Sequence, residues 1–232
     1  MTTTGGYDAV RQRLDRARVL LLDFDGPICA VFSGVPAEVV ADQLRAVLAD
    51  GGYTDLPNHV TTATDPFDVL RHAATLGTDE ARYVEAAFTA HEIDAITTAA
   101  PTPGAEQLMR HWHDSGRPLA IVSNNSEAAV SAYLDLHGLR PAVDYIAART
   151  SSDPTLLKPS THLVDRAITA LSATPADCAL LGDSVTDIQA AHAAGVAAIG
   201  YANKPGKHAK LTEAGADAVT ETLSDLSNRS HR

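Results

Sequence analysis

The chain has 232 residues, 45% of them hydrophobic and 20% charged, enough for one large domain or for a domain with a smaller insertion. Its formal charge of −11, from 18 Lys+Arg against 29 Asp+Glu, repels phosphate backbones and anionic lipid, so no nucleic-acid and no membrane partner is expected. Cys29 and Cys178 lie far apart without a CxxC motif, no basic segment followed by an apolar run opens the chain, and no apolar stretch reaches membrane-spanning length, a combination that predicts a cytoplasmic protein with reduced thiols.

Residues 7–17 are expected to form a short helix leading into the first strand. Val19-Leu20-Leu21-Leu22 is a run of four aliphatic residues, the pattern of a strand buried on both faces inside a parallel sheet. It runs into Asp23-Phe24-Asp25-Gly26. If the extended conformation persists, the two acids point to one side and Phe24 turns toward the core. The carboxyl edge of a central strand is where an open α/β sheet places its ligand.

After Pro27 the pattern becomes helical. Pro36 suits a first helical turn, apolar residues recur at 40, 44, 47 and 48, and Gly51-Gly52 ends the stripe. Asp65-Pro66 opens a helix that closes at Gly77, and Thr78 is expected to cap a longer one with Ala81, Val84, Phe88 and Ala95 on one face. Residues from about 30 to 98 therefore read as a helical block without strands, and Pro101-Thr102-Pro103-Gly104 reads as a hinge or linker.

From Gly104 onward helices and strands alternate. Helices are expected at about 104–115, 126–137 and 160–172, after Gly182-Asp183 up to Gly195, and once more before the end. Strands are expected at 118–123, 144–148, 178–181, 196–200 and 217–220. Strict alternation with short turns predicts an α/β fold, a Rossmann-like doubly wound parallel sheet with right-handed crossovers. The core would comprise residues 1–29 and 99–232, with the α-helical block 30–98 inserted. The polar tail after about 224 is expected to fray.

Four strand ends carry polar residues: Asp23 with Asp25, Ser123-Asn124, Lys158-Pro159, and Gly182-Asp183-Ser184-Val185-Thr186-Asp187. In this order they resemble the four motifs of the haloacid dehalogenase superfamily of hydrolases, over about residues 15–30 and 100–222. The helical block is similar in position to the cap of that superfamily's first cap class, whose members include phosphoglycolate phosphatase and β-phosphoglucomutase-like enzymes. The resemblance implies a Mg²⁺-dependent phosphatase. Asp23 would attack phosphorus and form an aspartyl-phosphate. Asp25 would protonate the leaving group and then activate water. Mg²⁺ would be held by Asp23, the backbone carbonyl of Asp25, and Asp183, with Asp187 orienting its water shell. Ser123, the Asn124 backbone and Lys158 would bind phosphate and offset its charge. Asp25 separates this chain from the dehalogenases, whose halide leaving group needs no proton.

One departure is Pro27, where the family has threonine or valine; the loss of an N–H there is expected to alter specificity rather than abolish activity. Ser123-Asn124 also reads as a helix N-cap, and Asp187 as a residue favouring the amino end of its helix. His111-Trp112-His113 faces opposite sides of a helix and is no metal pair. The segment from Gly200 to Lys207 is no P-loop, having five intervening residues and no Ser/Thr. Asn203-Lys204-Pro205-Gly206-Lys207 reads either as an exposed turn or as a loop reaching an anionic substrate. Arg45, Tyr53, His59, Arg71, His72, Arg82 and His91 are candidates for contacts from the helical block. The expected partner is a small phosphorylated substrate, and the protein a monomer or homodimer. The alternatives are a phosphomutase of the same superfamily or a non-catalytic phosphate-binding protein.

Overall fold

The computed structural model describes residues 4–224 and 226. Helix α1 (Thr4–Arg16) leads into β1 (Val19–Leu22), and β2 (Cys29–Ala30) leaves the sheet. Next come α2 (Ala37–Asp50), α3 (Asn58–Thr61), α4 (Pro66–Leu76) and α5 (Thr78–Ile96), and β3 (Ala100–Pro101) brings the chain back. Then α6 (Ala105–Asp114), β4 (Leu119–Ser126), α7 (Glu127–Leu136), β5 (Tyr145–Arg149) and α8 (His162–Ala170) follow. The last elements are β6 (Cys178–Gly182), α9 (Val185–Ala193), β7 (Ala197–Tyr201), α10 (Lys207–Glu213) and β8 (Ala218–Thr220).

Six parallel strands form one sheet in the order β5-β4-β1-β6-β7-β8, the Rossmann-like arrangement expected. The strand period of two explains the aliphatic runs. Leu20 and Leu22 of β1, with Leu119 and Ile121 of β4 and Ala179 and Leu181 of β6, pack under α1, α6 and α7. Val19 and Leu21, with Ala120, Val122, Cys178 and Leu180, pack under α8, α9 and α10. Each face thus excludes water, and each fully buried Leu contributes about 1.5–3 kcal/mol. Both cysteines are buried free thiols in these layers. Trp112 is buried and its indole N–H donates to the Pro118 carbonyl at 2.9 Å, with half-buried His111 and exposed His113 to either side of it on α6.

The helical segment has a core of its own. Val40, Leu44 and Leu48 of α2 meet Val69 and Leu70 of α4 and Val84 and Phe88 of α5, together with Leu157 from the loop after β5. Asp65 caps α4 as expected, accepting from the Phe67 N–H at 2.9 Å.

Four details differ from the sequence reading. Thr78 is the first helical residue of α5 rather than its cap; Gly77, in extended backbone with no side chain to offer, stands at the cap position. The expected hinge at 101–104 is pinned: Pro101 and Ala100 pair with Cys29 and Ala30, and the Thr102 hydroxyl donates to the Gly26 carbonyl at 2.5 Å. Strand β4 runs three residues beyond Ser123, and its register with β5 shifts between Val122 and Ser126. The short helix α3 fills the gap between the two helices that the sequence marks, four residues being too few for a stripe to register. Most of the polar tail lies outside the described residues.

Candidate active site

Strand β1 lies between β4 and β6, so the chain winds outward to β5, crosses back over β1 and winds outward again to β8. The carboxyl end of β1 is therefore the topological switch point, where flanking connections diverge and leave a crevice. Asp23 and Asp25 follow β1 there, Ser123 to Asn125 end β4, and Asp183 and Asp187 follow β6.

Two glycines let these carboxylates approach. Gly26 has φ +107°, a conformation costly to any other residue, and a Cβ on it would lie 2.4 Å from Asp183 Cγ. A Cβ on Gly182 would lie 2.4 Å from both Cβ and Cγ of Asp187. The turn around Pro27 is closed by its neighbours: the Gly26 N–H donates to Cys29 O at 2.7 Å, and the Ile28 and Cys29 N–H groups to Phe24 O at 3.1 and 3.2 Å. Phe24 points into the core as expected, edge-on to Tyr133 with ring centroids 5.4 Å apart.

Lys158 stands at the centre. Its buried ammonium donates to Asp187 Oδ1 at 2.5 Å, Asp23 Oδ1 at 2.8 Å and Val122 O at 2.9 Å, which uses all three of its N–H groups. Burial opposes its charge, but Asp187 and Asp23 overcome that and raise its pKa. Asp187 is fully buried. Burial pushes its carboxyl up; Lys158 and the Ser184 hydroxyl and N–H outweigh this, and its pKa lies below the ordinary range. Ser184 and Asp187 also form a reciprocal capping box on α9, as the reading of Asp187 at the amino end of its helix expects. Asp23 is raised well above the usual range, by burial first and by the Asp187 charge second, with Lys158 opposing.

Asp25 accepts from the Val31 N–H at 3.0 Å and is pushed up to about 6, chiefly by burial. Asp183 is held above the ordinary range by burial, against Lys207, which forms an ion pair with its Oδ2, and Asn203, whose Nδ2 donates to the same oxygen at 2.9 Å. The 203–207 loop thus reaches the site through its two ends. Asn203 Oδ1 is buried with no hydrogen-bond partner among the described residues.

One carboxylate oxygen from each of Asp23, Asp183 and Asp187 lies within 4.8 Å of the other two. Three hard oxygen donors, with an unpartnered buried amide oxygen beside Asp183, fit a hard divalent cation with part of its water shell. This set includes Asp187 and no side-chain atom of Asp25.

Ser123 is buried, and Asn124 grips the backbone of Lys158, its Oδ1 accepting from the N–H at 2.8 Å and its Nδ2 donating to the carbonyl at 3.3 Å. Neither caps a helix; Ser126 does, accepting from the Ala129 N–H at 3.2 Å. The helical segment's candidates mostly hold that segment together. Arg45 donates to Val60 O and Ala63 O, Tyr53 to Glu80, and Arg71 and Arg82 pair with Asp68 and Asp79 on their own helices. His59 and His72 meet edge to face at 6.2 Å. A cavity of about 540 Å³ opens between α5 and residues 150–152, and none of Asp23, Asp25, Asp183 and Asp187 lines it. Two residues that no motif flagged, Glu92 and Arg149, are buried next to Asn124 and Asn125.

Two consequences can be measured. Lys158→Met leaves Asp23 and Asp187 buried without their cation, and a loss of about 3–5 kcal/mol is expected in urea unfolding at pH 7; unchanged stability would show that the ammonium does not hold the pair. Asp25 binds its proton more tightly folded (about 6) than unfolded, near 3.9. Its contribution therefore becomes unfavourable as pH rises through that window and is fully unfavourable above it. In EDTA-treated protein, Asp25→Asn should match wild type at pH 4 and exceed it by about 2–3 kcal/mol at pH 7.5. A pH-independent difference would rule this out.

Residues 17–195 match the haloacid dehalogenase-like hydrolase family. The chain is 33% identical over 125 residues to a bifunctional riboflavin kinase/FMN phosphatase of Arabidopsis thaliana, covering 53% of this chain and 32% of that protein. It is 34% identical over 128 residues to a plasmid-encoded phosphoglycolate phosphatase of Cupriavidus necator, covering 53% of each. The matched stretches thus span about half or less of these curated relatives. Among solved structures, CbbY from Rhodobacter sphaeroides in complex with xylulose-(1,5)bisphosphate superposes with a TM-score of 0.64 at 21% identity, over 90% of this chain and 96% of that one. A predicted phosphatase from Clostridium acetobutylicum gives 0.68 at 18% identity, over 90% and 95%. At such identities these two likenesses speak for the fold. The family match extends over most of the chain and contains all seven strand-end residues, and the protein belongs to the haloacid dehalogenase-like hydrolases.

Proposed function

We propose that the protein is a Mg²⁺-dependent phosphatase that hydrolyses small phosphate monoesters. The observation that carries this reading is the buried group of Asp23, Asp183 and Asp187 around Lys158 at the switch point. The phosphatase names of the curated relatives support it.

In the first half-reaction a carboxylate oxygen of Asp23 attacks phosphorus in line, and the bond from phosphorus to the ester oxygen breaks. Asp25 gives its proton to the departing alkoxide; its pKa of about 6 lies closer to neutral pH than an ordinary carboxyl's and suits a group that both gives and takes a proton. In the second half-reaction Asp25 removes a proton from water, the water oxygen attacks the same phosphorus, and the bond to Asp23 breaks. Phosphate leaves and both acids are regenerated. Lys158 keeps Asp23 oriented and offsets charge that develops on the phosphoryl oxygens; the Asn124 N–H donates to them, and the Ser123 hydroxyl does so by turning its one proton away from Asn125 Oδ1. Asp23, Asp183 and the Asp25 carbonyl would hold the Mg²⁺, with Asp187 beside them; when bound, the ion supplies the positive charge that lets Asp23 stay ionised next to a dianionic substrate. Residues 30–98 act as a cap that covers the site and limits it to small substrates.

Phosphate release from p-nitrophenyl phosphate, FMN, phosphoglycolate and a sugar bisphosphate, with Mg²⁺ or with EDTA, tests the reading. Release that requires Mg²⁺ and falls about 10³-fold or more in Asp23→Asn is expected. No release from any of these by folded, Mg²⁺-loaded protein would overturn it.

Lys207 adds a measurable feature. Its ammonium sits on Asp183 Oδ2, so a divalent ion taking that oxygen would have to compete with the lysine. Lys207→Met should bind Mn²⁺ about fivefold more tightly than wild type, as read from the free-ion paramagnetic resonance signal. Equal or weaker binding would show that Lys207 does not compete.

A further inference from the structure

Glu92 lies on the core-facing side of α5, completely buried, one helical turn from Phe88. Its carboxylate meets only donors. Oε1 accepts from Nδ2 of Asn125 at 2.9 Å, and Oε2 accepts from the Ser126 N–H at 2.9 Å and from Arg149 Nη2 at 2.5 Å. Arg149, at the end of β5, has a side chain only 1% exposed. Its Nη1 reaches Glu85 Oε1 at 2.7 Å, its Nε donates to Asn124 O at 3.1 Å, and its guanidinium lies 4.6 Å from the Phe88 ring centroid. A planar fork of fixed donors suits this three-way grip, which lysine cannot reproduce.

Every residue from 124 to 126 is therefore tied to one buried ion pair: Asn124 through its carbonyl, Asn125 through its side chain, Ser126 through its N–H. The grip extends one residue further. A carboxylate only accepts, so Asn125 must turn its NH₂ to Glu92, which leaves its Oδ1 toward Ser123. The Ser123 hydroxyl donates to that oxygen at 3.1 Å and accepts from the Asn125 N–H at 3.2 Å. This is also the stretch in which β4 loses its register with β5, so the sheet ladder does not fix it.

We propose that the Glu92–Arg149 pair is the positioning device of the phosphate-binding segment 123–126, and that it couples the seating of α5 to phosphate affinity. The proposal rests on the reading of Ser123 and Asn124 as phosphate ligands. Neither Glu92 nor Arg149 touches the substrate; they act through Asn124, Asn125 and Ser126. Coupling is reciprocal, so phosphate in the site tightens the hold on α5.

Calorimetric titration with inorganic phosphate, in the presence of Mg²⁺, tests it. Breaking one member of a buried pair strands the other, whereas replacing both by apolar residues is often neutral for stability. Glu92→Leu/Arg149→Met should thus stay folded, bind phosphate about tenfold more weakly and raise KM for p-nitrophenyl phosphate in parallel. In a Ser123→Ala background the same double change should have a smaller further effect, because only the route through Asn124 remains. Arg149→Lys keeps the charge and the fold but loses the Nε bond to Asn124 and should weaken phosphate several-fold; it decides the matter if the double variant does not fold. Folded variants with wild-type phosphate affinity, or full additivity with Ser123→Ala, would overturn the proposal. A wild type that binds no phosphate would instead overturn the reading of the site itself.

Discussion

The site depends on one buried ammonium. Lys158 has three N–H groups and three acceptors, two of them carboxylates from separate elements and one a strand carbonyl. An uncompensated buried charge costs several kcal/mol, so none of the three can be withdrawn without stranding the others. The surroundings serve this arrangement. Asn124 clamps both backbone polar groups of Lys158, the preceding residue Leu157 is anchored in the core of the helical segment, and Gly182 leaves room for Asp187 to come close. The lysine thereby ties β1, β4 and the start of α9 to the helical segment at one point.

The same logic accounts for the glycines and the order of the strands. A parallel sheet that reverses its winding at β1 brings three strand ends together without long loops. Short connections from rigid strands position side chains more narrowly than free loops do. The close approach then requires residues without a Cβ at two points, Gly26 against Asp183 and Gly182 against Asp187, and the left-handed backbone at Gly26 demands glycine a second time.

Much of this was legible in the sequence because it rests on local signals. The aliphatic run at 19–22, the period-3.6 stripe of α2 and the Asp65-Pro66 cap each reflect a constraint acting within a few residues. The strand-end acids and Lys158 could be placed because topology gathers strand ends whatever the details of packing. The antiparallel pairing of β2 with β3 was not legible. Its partners lie about 70 residues apart, and each strand is two residues long, too short for any period to register. Glu92 left a trace: the stripe Ala81, Val84, Phe88, Ala95 skips the position four after Phe88, where a carboxylate occupies a core site. A charge in an apolar stripe calls for a buried partner, but nothing local identifies Arg149, 57 residues further on. Likewise the 203–207 loop could be suspected of reaching the rim, while its hold on Asp183 depends on how α10 packs.

Charge balance ties these features together. Four carboxyls, Asp23, Asp25, Asp183 and Asp187, meet two ammoniums, Lys158 and Lys207, in a largely buried crevice. Burial raises Asp25 to about 6 and lifts Asp23 and Asp183 as well, so ionising these carboxyls is harder here than in water. A phosphate dianion entering such a site would add to the imbalance. On the proposed reading two responses are open to this chain: a proton kept on Asp25, the form a leaving alkoxide would need, and a divalent cation on Asp183, which would displace the Lys207 ammonium. The second would release a lysine at the rim as the substrate arrives, so the same residue that guards Asp183 becomes a donor for an anion. On the same proposal, the excess of acid in the crevice would admit phosphate only together with the charge required for its transfer.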